Sequence, residues 1–139
     1  MKVKYPCPCC GYLVFDESPG SYEICPICFW EDDLSQLRFP RMSVGANRVS
    51  LVEAQENYFR DGVSESRFRS NVRAAETSDV REPQWRRIDV RADRIEEPIE
   101  GKDYGAVIQK TPLNFIIGGR VLRFGMRDSV TYKKFQKGI

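Results

Sequence analysis

Histidine is absent from this chain of 139 residues. Its absence excludes the commonest general base, the Ser–His and Cys–His nucleophile pairs, and zinc enzymes with imidazole ligands. Long apolar runs are absent as well, since stretches such as residues 12–15 extend over only a few positions. We therefore predict no transmembrane span and no hydrophobic secretory segment, and we expect a cytoplasmic protein that makes no membrane contact.

The charge is unevenly distributed although the net charge is only +2. Residues 1–72 carry eight basic and ten acidic side chains, and residues 73–100 carry six and eight. Residues 101–139 carry eight basic and two acidic side chains, which gives this segment a charge of +6. Such asymmetry marks the last segment as a candidate partner surface. The competing interpretation is an ordinary solvated surface.

Cysteine occurs only near the amino terminus, and the odd number argues against a disulfide framework in a reducing compartment. The five positions are Cys7, Cys9, Cys10, Cys25 and Cys28. Cys7 and Cys10 form one C-x-x-C pair, and Cys25 and Cys28 form a second pair after fourteen intervening residues. Each pair can bind one side of a tetrahedral metal ion. We expect strands at 12–15 and 22–24, joined by a turn at 18–21, to bring the pairs together.

This spacing predicts a four-cysteine zinc ribbon with ligands Cys7, Cys10, Cys25 and Cys28. Thiolates favour zinc or iron over magnesium and calcium, so a single iron ion is the alternative. Four thiolates leave no open coordination position, and the metal is therefore expected to be structural. A redox C-x-x-C or a chance cluster of buried cysteines fits the repeated spacing less well. Cys9 is predicted to be a spare thiol, either packed or hydrogen-bonded.

The cysteine pairs belong to a longer run of motifs that resembles the bacterial cysteine-rich CPCC family. The resemblance is carried by residues 5–12, 22–33, 45–51, 53–54 and 57–59, and it ends near residue 73. It implies a fold similar to a zinc ribbon and small bacterial proteins that largely lack an assigned activity. Some proteins of this kind are associated with toxin–immunity gene neighbourhoods, which implies a protein partner such as a toxin domain.

A helix is predicted at 51–61. Ser50 and Glu53 form a capping box at its start, and Gly62 follows its end. We expect its apolar face to pack beside Phe29, Trp30 and Leu34. A second short helix is predicted at 64–75.

The acidic triplet Glu31, Asp32 and Asp33 directly follows an aromatic residue. One interpretation is a surface for a basic partner, and the other is a solvated loop. Asn47 and Arg48 are expected to fix the neighbouring loop to the ribbon, with Arg48 paired to this triplet.

The predicted architecture is a small α+β protein in three parts. Residues 1–75 form the cysteine-rich zinc-ribbon domain, residues 76–101 a charged linker with a candidate edge strand at 86–91, and residues 102–139 a basic β-rich segment. In the last part, residues 113–117 and 120–124 are expected to form an antiparallel hairpin or part of a meander. The hairpin register aligns Phe115 with Leu122 and Leu113 with Phe124.

No recognisable motif positions a base, so we predict that the protein is not an enzyme. The preferred hypothesis is a zinc-binding protein-interaction protein, specifically a bacterial immunity protein that neutralises a toxin. The alternative is a nucleic-acid-binding zinc ribbon that uses the basic, aromatic-containing carboxyl-terminal segment. Candidate partner-binding residues are Glu31, Asp32, Asp33, Arg120, Arg123 and Arg127. The sequence does not specify an oligomeric state.

Overall fold

The structure, a computed structural model, describes residues 3–103 and the backbone of residues 113–117 and 120–124. The elements in chain order are β1 (Tyr5–Pro6), β2 (Leu13–Phe15), α1 (Leu34–Arg38), α2 (Leu51–Asp61), a 3₁₀ helix (Ser66–Asn71), β3 (Leu113–Ile117) and β4 (Arg120–Phe124). This is a small arrangement with few helices and short antiparallel strand pairs. None of the described helices has the length and apolar character needed to cross a bilayer.

Each cysteine pair lies in its own turn, and the two turns share one hydrogen-bond pattern. In the first turn the Cys7 amide donates to the Tyr12 carbonyl at 2.9 Å, and the Gly11 amide donates to the Cys7 carbonyl at 2.7 Å. In the second turn the Cys25 amide donates to the Trp30 carbonyl, and the Phe29 amide donates to the Cys25 carbonyl, both at 2.9 Å. The two C-x-x-C sequences therefore produce the same local backbone.

The strand pairing differs from the prediction that 12–15 pairs with 22–24. Strand β2 pairs antiparallel with β1 across the first cysteine turn. Ile24 instead pairs with Glu31 across the second turn. Closing a short loop costs less chain entropy than closing the longer segment between the pairs, so each turn recruits its nearest extended neighbours.

Helix α2 has the predicted bounds, and the Ser50 half of the predicted capping box is formed. The Ser50 hydroxyl accepts a hydrogen bond from the Glu53 amide at 3.1 Å. Gly62 has a φ of 78° and its amide donates to the Tyr58 carbonyl at 2.7 Å, which ends the helix in the left-handed conformation that glycine adopts without strain. Leu51 and Ala54 of this helix share one buried core with Trp30 and Leu34, as predicted, but Phe29, which was also expected there, is not part of that core.

Residues 64–75 form a 3₁₀ helix over only Ser66–Asn71, which is shorter than the predicted helix. Its packing is nevertheless specific, because the Phe68 ring lies 4.2 Å from the Phe29 ring between centroids. The Ser64 amide donates to the Cys28 carbonyl at 2.8 Å, and the Arg73 amide donates to the Pro26 carbonyl at 3.2 Å. This segment therefore packs against the second cysteine turn.

The prediction of a linker at 76–101 is wrong for most of its length, because residues 80–96 pack on the cysteine-rich unit. The Leu13 amide donates to the Val80 carbonyl, and the Glu82 amide donates to the Gly11 carbonyl, each at 2.8 Å. Arg38 pairs with Glu96 at 3.1 Å. Residues 86–91 form irregular chain rather than the predicted edge strand. Dense charge suggested a solvated segment, but the backbone groups and a few apolar side chains supply the contacts.

The antiparallel pair β3–β4 confirms the predicted register, with Leu113 opposite Phe124 and Phe115 opposite Leu122. The turn at 118–119 and Arg127 lie outside the described residues. Arg120 and Arg123 lie in β4, where only the backbone is described.

Gly11 provides a test of this packing. Its φ is +82°, and a Cβ atom there would lie 2.4 Å from Cδ2 of Trp85. Gly62 has a similar φ of +78° with nothing within 4 Å, so it is a matched control. We expect Gly62→Ala to lower the free energy of unfolding by about 1 kcal/mol from backbone strain alone, and Gly11→Ala by about 1–3 kcal/mol more from overpacking. Equal losses in denaturant titrations would contradict the close approach of Trp85.

Candidate metal centre

The structure brings together Cys7, Cys10, Cys25 and Cys28, all fully buried. Their sulfur atoms lie within 4.8 Å of one another. The Cys7–Cys28 sulfur distance is 3.5 Å, and the Cys10–Cys25 distance is 3.7 Å. A regular tetrahedron with metal–sulfur bonds of about 2.3 Å has sulfur–sulfur edges of about 3.8 Å. The four sulfurs therefore fit a single metal ion, which these residues would hold and which would supply a rigid cross-link.

The electrostatics of the cluster favour a bound cation. Burial raises the pKa of the Cys7 and Cys28 thiols well above its usual value. The pKa of Cys25 is lowered, chiefly by a hydrogen bond from the Cys10 side chain. The Ile27 amide also donates to the Cys25 sulfur at 3.4 Å. Four ionised thiolates would repel one another in this buried volume, and a divalent cation would offset that repulsion.

Cys9 lies outside the four-sulfur group although it is equally buried. Burial raises the pKa of its thiol. A neutral, packed cysteine behaves as a small apolar side chain. This arrangement agrees with the prediction of a spare thiol.

The two turns differ at the residue that follows the second cysteine. Gly11 has a φ of 82°, and Phe29 occupies the equivalent position with a φ of 69°. A left-handed phenylalanine is strained, whereas glycine is not. The packing of Phe29 on Phe68 supplies a compensating contact. This strain was not predicted, because Phe29 was expected only as a packing contact for the helix at 51–61.

Two residues of the acidic triplet contribute neither a partner surface nor a solvated loop, because Asp32 and Asp33 are 1% and 4% exposed, whereas Glu31 is partly exposed and its partner role stays a prediction. One Asp32 oxygen accepts hydrogen bonds from the Gly20 amide and from the amide and hydroxyl of Ser21, at 2.9–3.1 Å. Asp33 caps α1 by accepting from the Ser35 amide at 2.8 Å. Each carboxylate therefore satisfies loop or helix donors that would otherwise be buried without a partner.

Asn47 fixes the loop before α2, as predicted. Its side chain accepts from the Glu31 amide at 2.9 Å and donates to the Glu31 carbonyl at 2.8 Å. Arg48 is exposed, and within residues 3–103 no ion pair joins it to the acidic triplet. The predicted role therefore belongs to Asn47 and not to Arg48.

Three side chains that the sequence analysis did not single out hold the first cysteine turn. Gln55 and Trp85 donate to the Pro8 carbonyl at 2.9 and 3.1 Å. Arg81 donates to the Cys10 carbonyl at 2.9 Å. They come from α2 and from a segment more than 70 residues away along the chain. No local pattern connects such distant partners, so the sequence carried no sign of them.

Comparison with protein families agrees with this geometry. A family model described as Cysteine-rich CPCC matches residues 5–79. The chain belongs to the cysteine-rich CPCC family. No curated protein matches it. The match contains the four clustered cysteines of this CPCC protein but ends before Arg81 and Trp85, so it confirms the resemblance while leaving out part of the packing around the first turn.

Single substitutions test which sulfurs bind metal. We expect each of Cys7→Ser, Cys10→Ser, Cys25→Ser and Cys28→Ser to abolish stoichiometric metal retention, because each removes one of four ligands. Cys9→Ala is the matched control, since it removes an equally buried sulfur, and it should retain one ion per chain. Native mass spectrometry measures the number of metal ions retained by each purified variant. Metal loss in Cys9→Ala, or full retention in any of the four serine variants, would show that the ligand set is different.

The buried carboxyl of Asp32 should make the free energy of unfolding depend on pH. Burial raises the pKa of its carboxyl from 3.8 to about 6. The folded protein therefore binds this proton more tightly than the unfolded chain. The resulting stabilisation is fully present below about pH 4 and is lost as the pH rises through about 6. Relative to Asp32→Asn, the wild-type free energy of unfolding should fall by up to about 3 kcal/mol over this interval. Parallel stability profiles would contradict the buried position of the carboxyl.

Proposed function

We propose that this CPCC protein holds one structural zinc ion and acts, without catalysis, by binding another protein. The single observation that carries the proposal is the cluster of four buried cysteine sulfurs. Four thiolates complete a tetrahedral shell and leave no position for water or a substrate. Zinc is preferred over iron because tetrahedral thiolate sites are typical of zinc and a structural role needs no redox chemistry.

The zinc-ribbon fold is part of this proposal. Its support is that both cysteine pairs lie in turns with the same hydrogen bonds, each flanked by short extended segments. A zinc ion between the turns would join two hairpins that have little core of their own. Free buried thiols and a thiolate-bound metal also suit the reducing conditions of the cytoplasm, where we propose that the protein acts.

Within this class we propose a toxin-neutralising immunity role, which is supported by the family resemblance noted from the sequence. The required partner is then a toxin domain, expected among the products of adjacent genes. The protein would act as a rigid binding surface whose shape depends on its metal. Nucleic-acid binding by the basic carboxyl-terminal segment is the competing hypothesis.

A metal-dependence experiment tests the proposal. The full chain is co-expressed with the product of the adjacent gene, and we expect the two to co-purify and the growth of toxin-expressing cells to be protected. Metal removal with a chelator should unfold the cysteine-rich unit, since structural zinc contributes on the order of 10 kcal/mol in zinc-finger peptides. Circular dichroism and native mass spectrometry follow folding and complex formation together.

The matched control is Cys9→Ala, which should protect cells as well as the wild type, while Cys25→Ser should not. A protein that stays folded after losing its metal would overturn the structural role. Tight binding to DNA or RNA at low salt, without co-purification or protection, would favour the nucleic-acid hypothesis.

A further inference from the structure

An open groove of about 720 Å³ lies beside α2. It is lined by Phe59, Trp85 and residues 86–92. The family match ends at residue 79, so most of the groove lies in a part of the chain that the match does not cover. The groove is suited to the recognition role proposed above, and the inference below rests on that proposed function.

The groove combines apolar surface with exposure. The side chain of Phe59 is 45% exposed on α2, and Val90 is 49% exposed. Ile88 also lines the groove, where it is half-buried and packs against the protein core. Exposed apolar side chains that cluster in a concave surface are typical of sites that bind another molecule.

The lining of the groove holds three basic residues, Arg86, Arg87 and Arg91, and one acidic residue, Asp89, so its net charge is positive. Arg87 and Arg91 line it and are exposed. Throughout residues 3–103, no carboxylate lies within ion-pair distance of either guanidinium. The nearby Asp93 already binds Arg86 at 2.8 Å. Two arginines without acidic partners beside an apolar surface are complementary to a ligand that carries both carboxylates and apolar groups.

The aromatic rings of the groove already make contacts within the protein, although Phe59 stays partly exposed. Trp85 is only 9% exposed, approaches Gly11 closely, and stacks on Phe59 with ring centroids 6.0 Å apart. The Arg87 guanidinium lies over the Phe59 ring at 4.8 Å. A single-stranded nucleic acid would need free aromatic faces on which to stack its bases. The carboxyl-terminal segment of the chain is basic and would be repelled by the two arginines.

We propose that this groove binds an acidic peptide segment of a partner protein. An aliphatic side chain of the segment contacts Phe59, Ile88 and Val90, and its flanking carboxylates pair with Arg87 and Arg91. Arginine forms bidentate hydrogen bonds to carboxylates, which gives such a contact direction as well as charge.

Selection from a displayed library of short random peptides, with the zinc-loaded full chain as bait, tests the proposal directly. We expect the enriched peptides to be net negative and to contain an aliphatic residue. The variant Arg87→Glu with Arg91→Glu should lose these peptides, and affinity for a synthetic copy of an enriched peptide should fall by about tenfold or more. Arg48→Glu with Arg69→Glu makes the same charge change at exposed positions outside the groove, and it should bind normally.

A second pair of variants separates the apolar contact from the charge. Val90→Ser removes an exposed groove side chain and should weaken binding by about threefold to tenfold, while Val44→Ser, which is exposed elsewhere, should not. Thermal unfolding of each variant confirms that the fold is retained. Enriched peptides without an acidic bias, equal binding by both arginine double variants, or tighter binding of a thymidine oligonucleotide would overturn the proposal.

The co-purified partner distinguishes this inference from the proposed function. If the partner binds the wild type and the Arg87→Glu, Arg91→Glu variant equally, the groove proposal fails while the recognition role stands. If no adjacent product binds but acidic peptides are selected through the groove, the immunity role fails while the groove proposal stands.

Discussion

The structure depends on the convergence of four cysteine sulfurs in a volume that excludes water. The two C-x-x-C turns are locally complete, since each closes its own backbone hydrogen bonds. Locally complete turns do not fix their relative position, and the strands that flank them are only two and three residues long. A cation shared between both turns would supply the missing restraint, and the surrounding core of aromatic and aliphatic residues would then pack on a defined shape.

Around this centre, polar side chains form hydrogen bonds with backbone groups that regular secondary structure would pair in larger domains. Asp32 binds the 20–21 loop, Asp33 caps α1, and Asn47 holds the backbone of Glu31. Much of the chain is irregular, so its amide and carbonyl groups need partners outside regular ladders. Asp32 and Asp33 therefore serve the fold rather than a ligand, because their carboxylates accept hydrogen bonds from nearby donors.

Features governed by short-range chemistry could be predicted from the sequence. The spacing of Cys7, Cys10, Cys25 and Cys28 indicated one cluster, the Ser50 cap and Gly62 bounded α2, and the register of β3 with β4 followed from a two-residue connection. Features governed by contacts between distant parts of the chain could not be predicted from it. Trp85 reaches Pro8 across 77 positions, and nothing near Trp85 in the sequence separates a packed segment from a charged linker.

The positions of the donors to the first cysteine turn also determine when, during synthesis of the chain, the site can be completed. The Pro8 carbonyl accepts from Gln55 and Trp85, and the Cys10 carbonyl accepts from Arg81. These donors leave the ribosome long after both cysteine pairs have been synthesised. The nascent chain therefore presents four thiols before their surrounding shell exists, and the mature site is completed only after a substantial further length of polypeptide has emerged.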